Sequence, residues 1–393
     1  MRLTAHALTK AADPLTTWLA SLKATQLKTV ARATGIRNPG RKDVLSARLR
    51  TELMRSVFLP NIPPTHIHDK HDDNKTNSLL HPGNDSRVNL EQNDGDSLSI
   101  LSIDMGIQNL AFAHLLVRPA KAETDTGDYY EGHTTTLNAW HRIGVQELSA
   151  ITPLHSATTI AAIPTGQTQN DDSIGEHSSK RERSFDPDIL AGNAYTLLSS
   201  LISAYNPTHI LIERQRFRSG GRSAVLEWTL RVGVFEGMLH AVLHTMQQLG
   251  RCPATVYGVS PARVSQYWGG AKEGGDDSKD GQKSIKRMKI DLVGEWLDQG
   301  SSSSFPSKSR PRISIPSAKP SDVQTVVAAY LERWSGQRSK AAWRIEKLDD
   351  LADCLLQGLT WLEWQDRRAQ FAKDGVEALR RVEMSLASDK NKH

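Results

Sequence analysis

Cysteine is almost missing from this 393-residue chain: Cys252 and Cys354 are the only two, far apart and without partners at metal-ligand spacing. A disulfide framework and a zinc site therefore lack material, and a reducing compartment is the expected setting. No run of 18 or more apolar residues occurs, so no membrane span is expected. Acids are scarce at one end. Residues 1–60 hold Asp13, Asp43 and Glu52 against eleven Lys and Arg, a surplus of eight, although the whole chain carries only +5. The rest is thus near neutral, which suits an N-terminal part that meets a polyanion beside a more selective body; a solvated basic surface is the plainer alternative. The first twelve residues lack acids and include Arg2, His6 and Lys10, compatible with a transit peptide though poor in Arg. What is present is 38% apolar and 24% charged residues, enough for an enzyme-sized core interrupted by polar tracts.

Residues 15–23 and 25–34 read as two short helices, 35–40 as a turn, and 42–57 as a third helix with apolar Val44, Leu45, Leu49, Leu53 and Val57. A helix start flanked by Arg41 and Lys42 can take a phosphate through its free N–H groups and two charges. The segment LKATQLKTVARATGIRNPGRKDVLSARL resembles the SAP motif, with Leu27, Val30 and Leu45 as core and Gly35 and Gly40 in the turn. That resemblance implies a DNA-binding module over 1–60 that takes duplex DNA regardless of sequence. Residues 61–96 read as a flexible linker. It contains His66, His68 and His71, which lack a second ligand cluster nearby. Disordered insertions are expected near 146–186, 269–282 and 299–320, and a tail over 371–393.

Between these tracts the pattern alternates. Residues 97–104, 110–117 and 134–145 read as three sequential strands with short links, an antiparallel meander. Helix 187–205, strand 209–213, helix 223–249, strand 254–259 and a short helix capped by Ser260-Pro261 follow. The order βββαβαβα is that of an RNase H-like α/β fold over 97–370, a mixed sheet of meander plus parallel strands flanked by helices.

Asp104 and Glu213 each end a strand whose preceding residues are apolar, the end at which mixed α/β sheets build their sites. Burying an unpaired carboxylate there costs several kcal/mol by rough estimate, so packing alone does not explain them; pairing with Arg214 or Arg216, or exposure, would. A helix over 347–368 carries a Leu stripe from Leu348 to Leu362 with Asp349, Asp350 and Asp353 fanned beside it. Spacings of i,i+3 and i,i+4 let either pair point at one ion, the alternative being a solvated acidic face.

SILSIDMGIQNLAFAHL, THILIERQRFRS and KLDDLADCLLQGLTWLEW resemble, in that order, the three signature segments of the fungal mitochondrial Holliday junction resolvases, relatives of bacterial RuvC. The resemblance implies mitochondrial localisation, a homodimer, and symmetric nicking of four-way junction DNA dependent on Mg²⁺, with Mn²⁺ as a substitute. It assigns metal ligation to Asp104, Glu213 and Asp353, with a fourth carboxylate from Asp350 or Asp349. Hard oxygen donors suit such ions, and the products would be 5′-phosphate and 3′-hydroxyl ends.

Beyond Glu213, the run Arg214, Gln215, Arg216, Arg218 and Arg222, with Gly220-Gly221, is a candidate phosphate clamp or a charge-balancing loop. Helix 284–298 offers Lys286 and Arg287 as a secondary DNA edge. Gly233 and Gly237 allow close approach, to the sheet sooner than to a second subunit, and Trp334, Trp343, Trp361 and Trp364 are core candidates before base-stacking ones. Two further functions fit the same features: a nuclease on RNA–DNA hybrids, and a non-catalytic SAP-type protein that binds branched DNA.

Overall fold

The computed structural model describes residues 13–59, 97–119, 133–145, 185–215, 227–268, 279–298, 313–316, 322–336, 345 and 347–390. Three helices open it: α1 (Pro14–Ser21), α2 (Ala24–Ala33) and α3 (Lys42–Leu53). They bury Leu15, Leu19, Leu27, Val30, Leu45, Leu49 and Leu53, the helically spaced apolar set of the sequence. The linker 61–96 lies outside the described residues, as do His66, His68 and His71.

The body is built on β1 (Leu98–Asp104), β2 (Leu110–Pro119) and β3 (His133–Ile143), an antiparallel meander, with β4 (His209–Glu213) and β5 (Thr255–Val259) added in parallel beside β1. A two-residue β6 (Ile313–Ser314) pairs in parallel with the far edge of β3, giving the order β5-β4-β1-β2-β3-β6. The RNase H-like arrangement expected from the sequence is thus present. β6 corrects the reading of 299–320 as wholly without structure: Thr136 Oγ1 and Ser314 Oγ bond at 2.8 Å, so a short stretch of the Ser- and Pro-rich tract joins the sheet.

Strand period two decides which side chains face which layer. Leu101, Ile103, Phe112, Ile210 and Ile212 point to one layer, made by α4 (Pro187–Tyr205) and α5 (Glu227–Gln248). Ile100, Ala113, Leu115 and Leu211 point to the other, where α6 (Pro261–Tyr267), α7 (Lys279–Leu297), α8 (Asp322–Trp334) and α9 (Asp349–Lys390) pack. By the same alternation Ser102 and Asp104 of β1, and Glu213 of β4, face α9. Helix α8 has no counterpart in the sequence reading, and α7 begins at Lys279, inside the tract expected to be loose over 269–282.

The tail expected over 371–393 is instead the second half of α9, which runs to Lys390 through a non-helical Gly375. Phe371, Ala378, Leu379 and Val382 recur at helical spacing and are buried against α1–α3, so burial of that stripe orders the segment. The N-terminal unit is accordingly docked. Arg368 Nε donates to Thr34 O at 3.0 Å, Arg263 Nη1 to Gly35 O at 2.6 Å, and Ser56 Oγ to Gln365 O at 2.6 Å. Gly35 sits at φ +64° with Trp364 so close that a Cβ would lie 2.1 Å from its ring. Trp361 and Trp364 are buried, as core residues should be; Trp343 lies outside the described residues.

Candidate active site

Three elements bring acids to one end of the sheet. Asp104 closes β1, Glu213 closes β4, and Asp349, Asp350 and Asp353 form the first turn of α9, which lies across those strands. Asp104 is 7% exposed, and burial holds its carboxyl well above the usual range. Repulsion from Glu213, Asp353 and Asp350 and a side-chain hydrogen bond with Glu213 push it the same way. Burial also raises Glu213, with Asp353 and Glu236 adding to the shift and the bond to Asp104 and the charge of Lys289 opposing it.

The α9 acids differ in their partners. Asp353 is raised by burial against the pull of Lys289, whose Nζ lies 2.8 Å from its Oδ1. Asp350 is pushed up to about 6 by burial and by Asp349, against the pull of Arg142, whose Nε lies 3.1 Å from Asp350 Oδ2. In Asp349 burial is outweighed by Lys286, whose Nζ donates to Oδ2 at 2.8 Å, so its carboxyl stays below the usual value. Asp350 adds its charge to the field at Asp104, and the two neighbours differ in their partners, Lys286 for Asp349 and Arg142 for Asp350.

Lys289 meets Asp353 Oδ1 and Arg142 meets Asp350 Oδ2 as ion pairs, and no further donor reaches either oxygen among the described residues. Acids crowded together with few counter-charges are costly unless a further cation arrives. Their hard oxygens fit a divalent ion in donor chemistry. Among the described residues, however, no three of these side chains already converge on one point at ligand distance.

Lys289 was not legible in the sequence as part of the site. It is a lysine between Met288 and Ile290, three residues past Lys286, with its side chain only 12% exposed. Desolvation lowers its pKa, and Asp353, Glu213 and Asp104 more than reverse that, so it stays charged. Glu236 of α5 was missed as well; its Oε2 accepts the Gln215 N–H at 2.9 Å and pins the start of the arginine run.

The expected DNA contacts divide. Arg214 lies against Gly258 of β5, where a Cβ would meet its Cδ at 2.8 Å. Arg216, Arg218 and Arg222 lie outside the described residues. Lys286 is turned to Asp349, and Arg287 lies 3.6 Å from Asp291 along its own helix. Arg41 is 89% exposed beside Asp43, and Lys42 Nζ donates to Ala20 O at 3.2 Å. Gly237 corrects an expectation: a Cβ there would meet nothing within 4 Å, so it is open to solvent and not packed on the sheet.

A family model described as mitochondrial resolvase Ydc2 / RNA splicing MRS1 matches residues 100–371, well over half of the chain. The mitochondrial cruciform cutting endonuclease 1 of Schizosaccharomyces pombe is 28% identical over 187 residues, 46% of this chain. That match spans 60% of the relative, under two thirds of its length. The crystal structure of the yeast mitochondrial Holliday junction resolvase Ydc2 aligns at 21% identity and a TM-score of 0.45, covering 90% of this chain and 99% of its own. Thermus thermophilus RuvC in complex with a Holliday junction substrate aligns at 14% identity and a TM-score of 0.30, covering 69% and 98%.

Proposed function

The chain belongs to the family described as mitochondrial resolvase Ydc2 / RNA splicing MRS1, and from that premise we propose that it is a mitochondrial, structure-selective endonuclease resolving four-way (Holliday) DNA junctions by paired symmetric nicks. One observation carries the reading. Asp104 is buried, and Glu213, Asp350 and Asp353 are half-buried around it at the carboxyl ends of β1 and β4, with their carboxyls raised, an arrangement that burdens the fold and serves hydrolysis.

These four acids would hold Mg²⁺, or Mn²⁺ in its place, by the preference of hard ions for carboxylate oxygen. When bound, the ion supplies water activation and charge neutralisation at the scissile phosphate. The chain's own residues do the rest. Lys289 carries a fixed positive charge beside Asp353, where the phosphate's negative charge has to be tolerated. Arg142 orients Asp350 from β3. Glu236 fixes the backbone of Gln215 next to Arg214, and the arginines that follow in the sequence, Arg216, Arg218 and Arg222, would grip phosphates as bidentate forks.

Two opposed nicks on a twofold-symmetric junction need two such sites, hence a homodimer. The exposed strip Leu230, Val234 and Gly237 on α5 suits the seam: it is apolar, ends on a small residue and lies outside the core. The three-helix unit, read as SAP-like, would take a duplex arm through Arg41 and Lys42.

The test is a substrate panel with purified full-length protein: a four-way junction, a linear duplex and an RNA–DNA hybrid, each with Mg²⁺. Paired symmetric nicks confined to the junction support the reading. Preferential cutting of the hybrid replaces it with the alternative nuclease, and binding of the junction without any metal-dependent cutting leaves only a branched-DNA-binding role.

A further inference from the structure

Gln357 lies one helical turn along α9 from Asp353 and is 4% exposed, among buried Leu351, Leu355, Leu356 and Trp361 of the same helix. Its Nε2 donates to Ser102 Oγ at 3.1 Å and to Ile103 O at 3.1 Å, and lies 3.5 Å from Leu211 O. Ser102 Oγ in turn donates to Cys354 O at 2.7 Å, so the relay runs from the helix to the strand and back to the helix. Ile103 immediately precedes Asp104, and Leu211, paired with Ser102 across the sheet, stands two residues before Glu213. The next residue, Gly358, marks the tightest approach: a Cβ there would lie 2.8 Å from Leu115 Cδ1 and 3.3 Å from Ser102 Cβ.

Burial alone does not call for an amide at this place. A Leu or Met of similar volume fills the same space with no polar atom to desolvate. What the amide adds is direction, because a hydrogen bond fixes rotation and axial register where apolar contact lets a helix slide. The groups it ties together are the two strands that carry Asp104 and Glu213 and the helix that carries Asp350 and Asp353.

We propose that Gln357 is a positioning residue: by holding α9 to the ends of β1 and β4 it sets the separation of the α9 acids from the strand acids, and with it the affinity of the cluster for a divalent cation. The proposal rests on the reading of those acids as a metal site, so its test must separate the two.

Full-length Gln357→Leu and Gln357→Met are titrated with Mn²⁺ by calorimetry without DNA, beside the unmodified protein and Asp353→Asn. The expected result is Mn²⁺ affinity weaker by about 10-fold in both Gln357 variants, the scale on which residues supporting metal ligands act. Junction affinity without divalent ions should be unchanged, and raised Mn²⁺ should recover cutting. A purely structural role would lower the melting temperature and leave the Mn²⁺ affinity of the folded protein alone; that result overturns the proposal. If Asp353→Asn loses Mn²⁺ while both Gln357 variants keep it, positioning fails and the metal site stands. If Asp353→Asn binds Mn²⁺ like the unmodified protein, the metal site itself is refuted and the proposal falls with it. Should neither Gln357 variant fold, Ser102→Ala, which removes only the hydroxyl relay, is read the same way: a smaller loss in the same direction supports the proposal, and unchanged affinity overturns it.

Discussion

The two charged regions of this molecule are built on opposite terms. At the ends of β1 and β4, Asp104, Glu213, Asp350 and Asp353 are drawn into the protein with raised pKa values, and among the described residues Lys289 and Arg142 form ion pairs with Asp353 and Asp350. In the three-helix unit the basic side chains stand outward over an apolar core, and surface acids meet them loosely, as in Arg41 with Asp43 at 3.8 Å or Arg50 with Asp13 at 3.8 Å. The first arrangement destabilises the empty protein and gains its use from a ligand. The second barely touches stability and can act only through long-range attraction to a polyanion. The regions are nevertheless mechanically joined, since the C-terminal half of α9 is part of the core of the three-helix unit.

Replacing acids should separate the regions most strongly. Glu213→Gln and Asp353→Asn are expected to lower junction cutting by on the order of 10³-fold or more, the scale of losing a group that stabilises charge in the transition state. Glu213→Gln should also raise the melting temperature in metal-free buffer, because an acid repelled by its neighbours is neutralised, whereas Asp353→Asn should lower it by stripping Lys289 of its partner; calorimetry and a nicking assay on the same preparations check both. Next in size is the joint between the regions. Gly35→Ala must place a Cβ inside the Trp364 ring from a left-handed backbone, so a loss of roughly 3 kcal/mol, read by urea unfolding, is expected.

A third prediction contrasts the acid site with a buried base on the other face of the sheet. His114, between Ser99 and Asn138, is pushed down from 6.5 to about 4 by burial. The unfolded chain takes up its proton near pH 6.5 and the folded one only near pH 4. Its contribution is thus complete above pH 6.5 and is lost as pH falls toward 4, up to about 3 kcal/mol. Unfolding free energies against pH for the protein and His114→Gln should differ in slope across that window. Smallest of all, Arg41→Ala with Lys42→Ala should weaken linear-duplex binding a few-fold and reduce its salt slope by about two, leaving cutting chemistry intact. Neutralising these charges is a cleaner probe than deleting 1–60, which would strip the cover from Phe371, Leu379 and Val382.

The acid ends of the strands were legible because an apolar run closing on a carboxylate has few packing explanations, and the Leu stripe beside Asp349, Asp350 and Asp353 fixed which face of α9 is buried. Lys289 and Gln357 were not, since each interrupts an apolar helix face with a polar residue whose partners lie far off in sequence. β6 escaped notice because two residues carry no periodicity, and the far half of α9 because Gly375 breaks a stripe that only the three-helix unit completes. Docking of that unit depends on bonds to backbone carbonyls, such as Arg368 to Thr34 O, which no side-chain pattern announces.

The central claim is that the buried acids cut and do not hold the junction. A four-way junction labelled in turn on each strand, incubated with Mg²⁺ and full-length protein, tests it most directly when Asp104→Asn is run alongside, with binding measured in parallel without divalent ions. The account predicts paired symmetric nicks from the unmodified protein, none from Asp104→Asn, and equal or tighter junction binding by that variant, because a negative charge near the phosphates has been removed. Undiminished nicking by Asp104→Asn, or loss of its junction binding while it remains folded, would contradict the account.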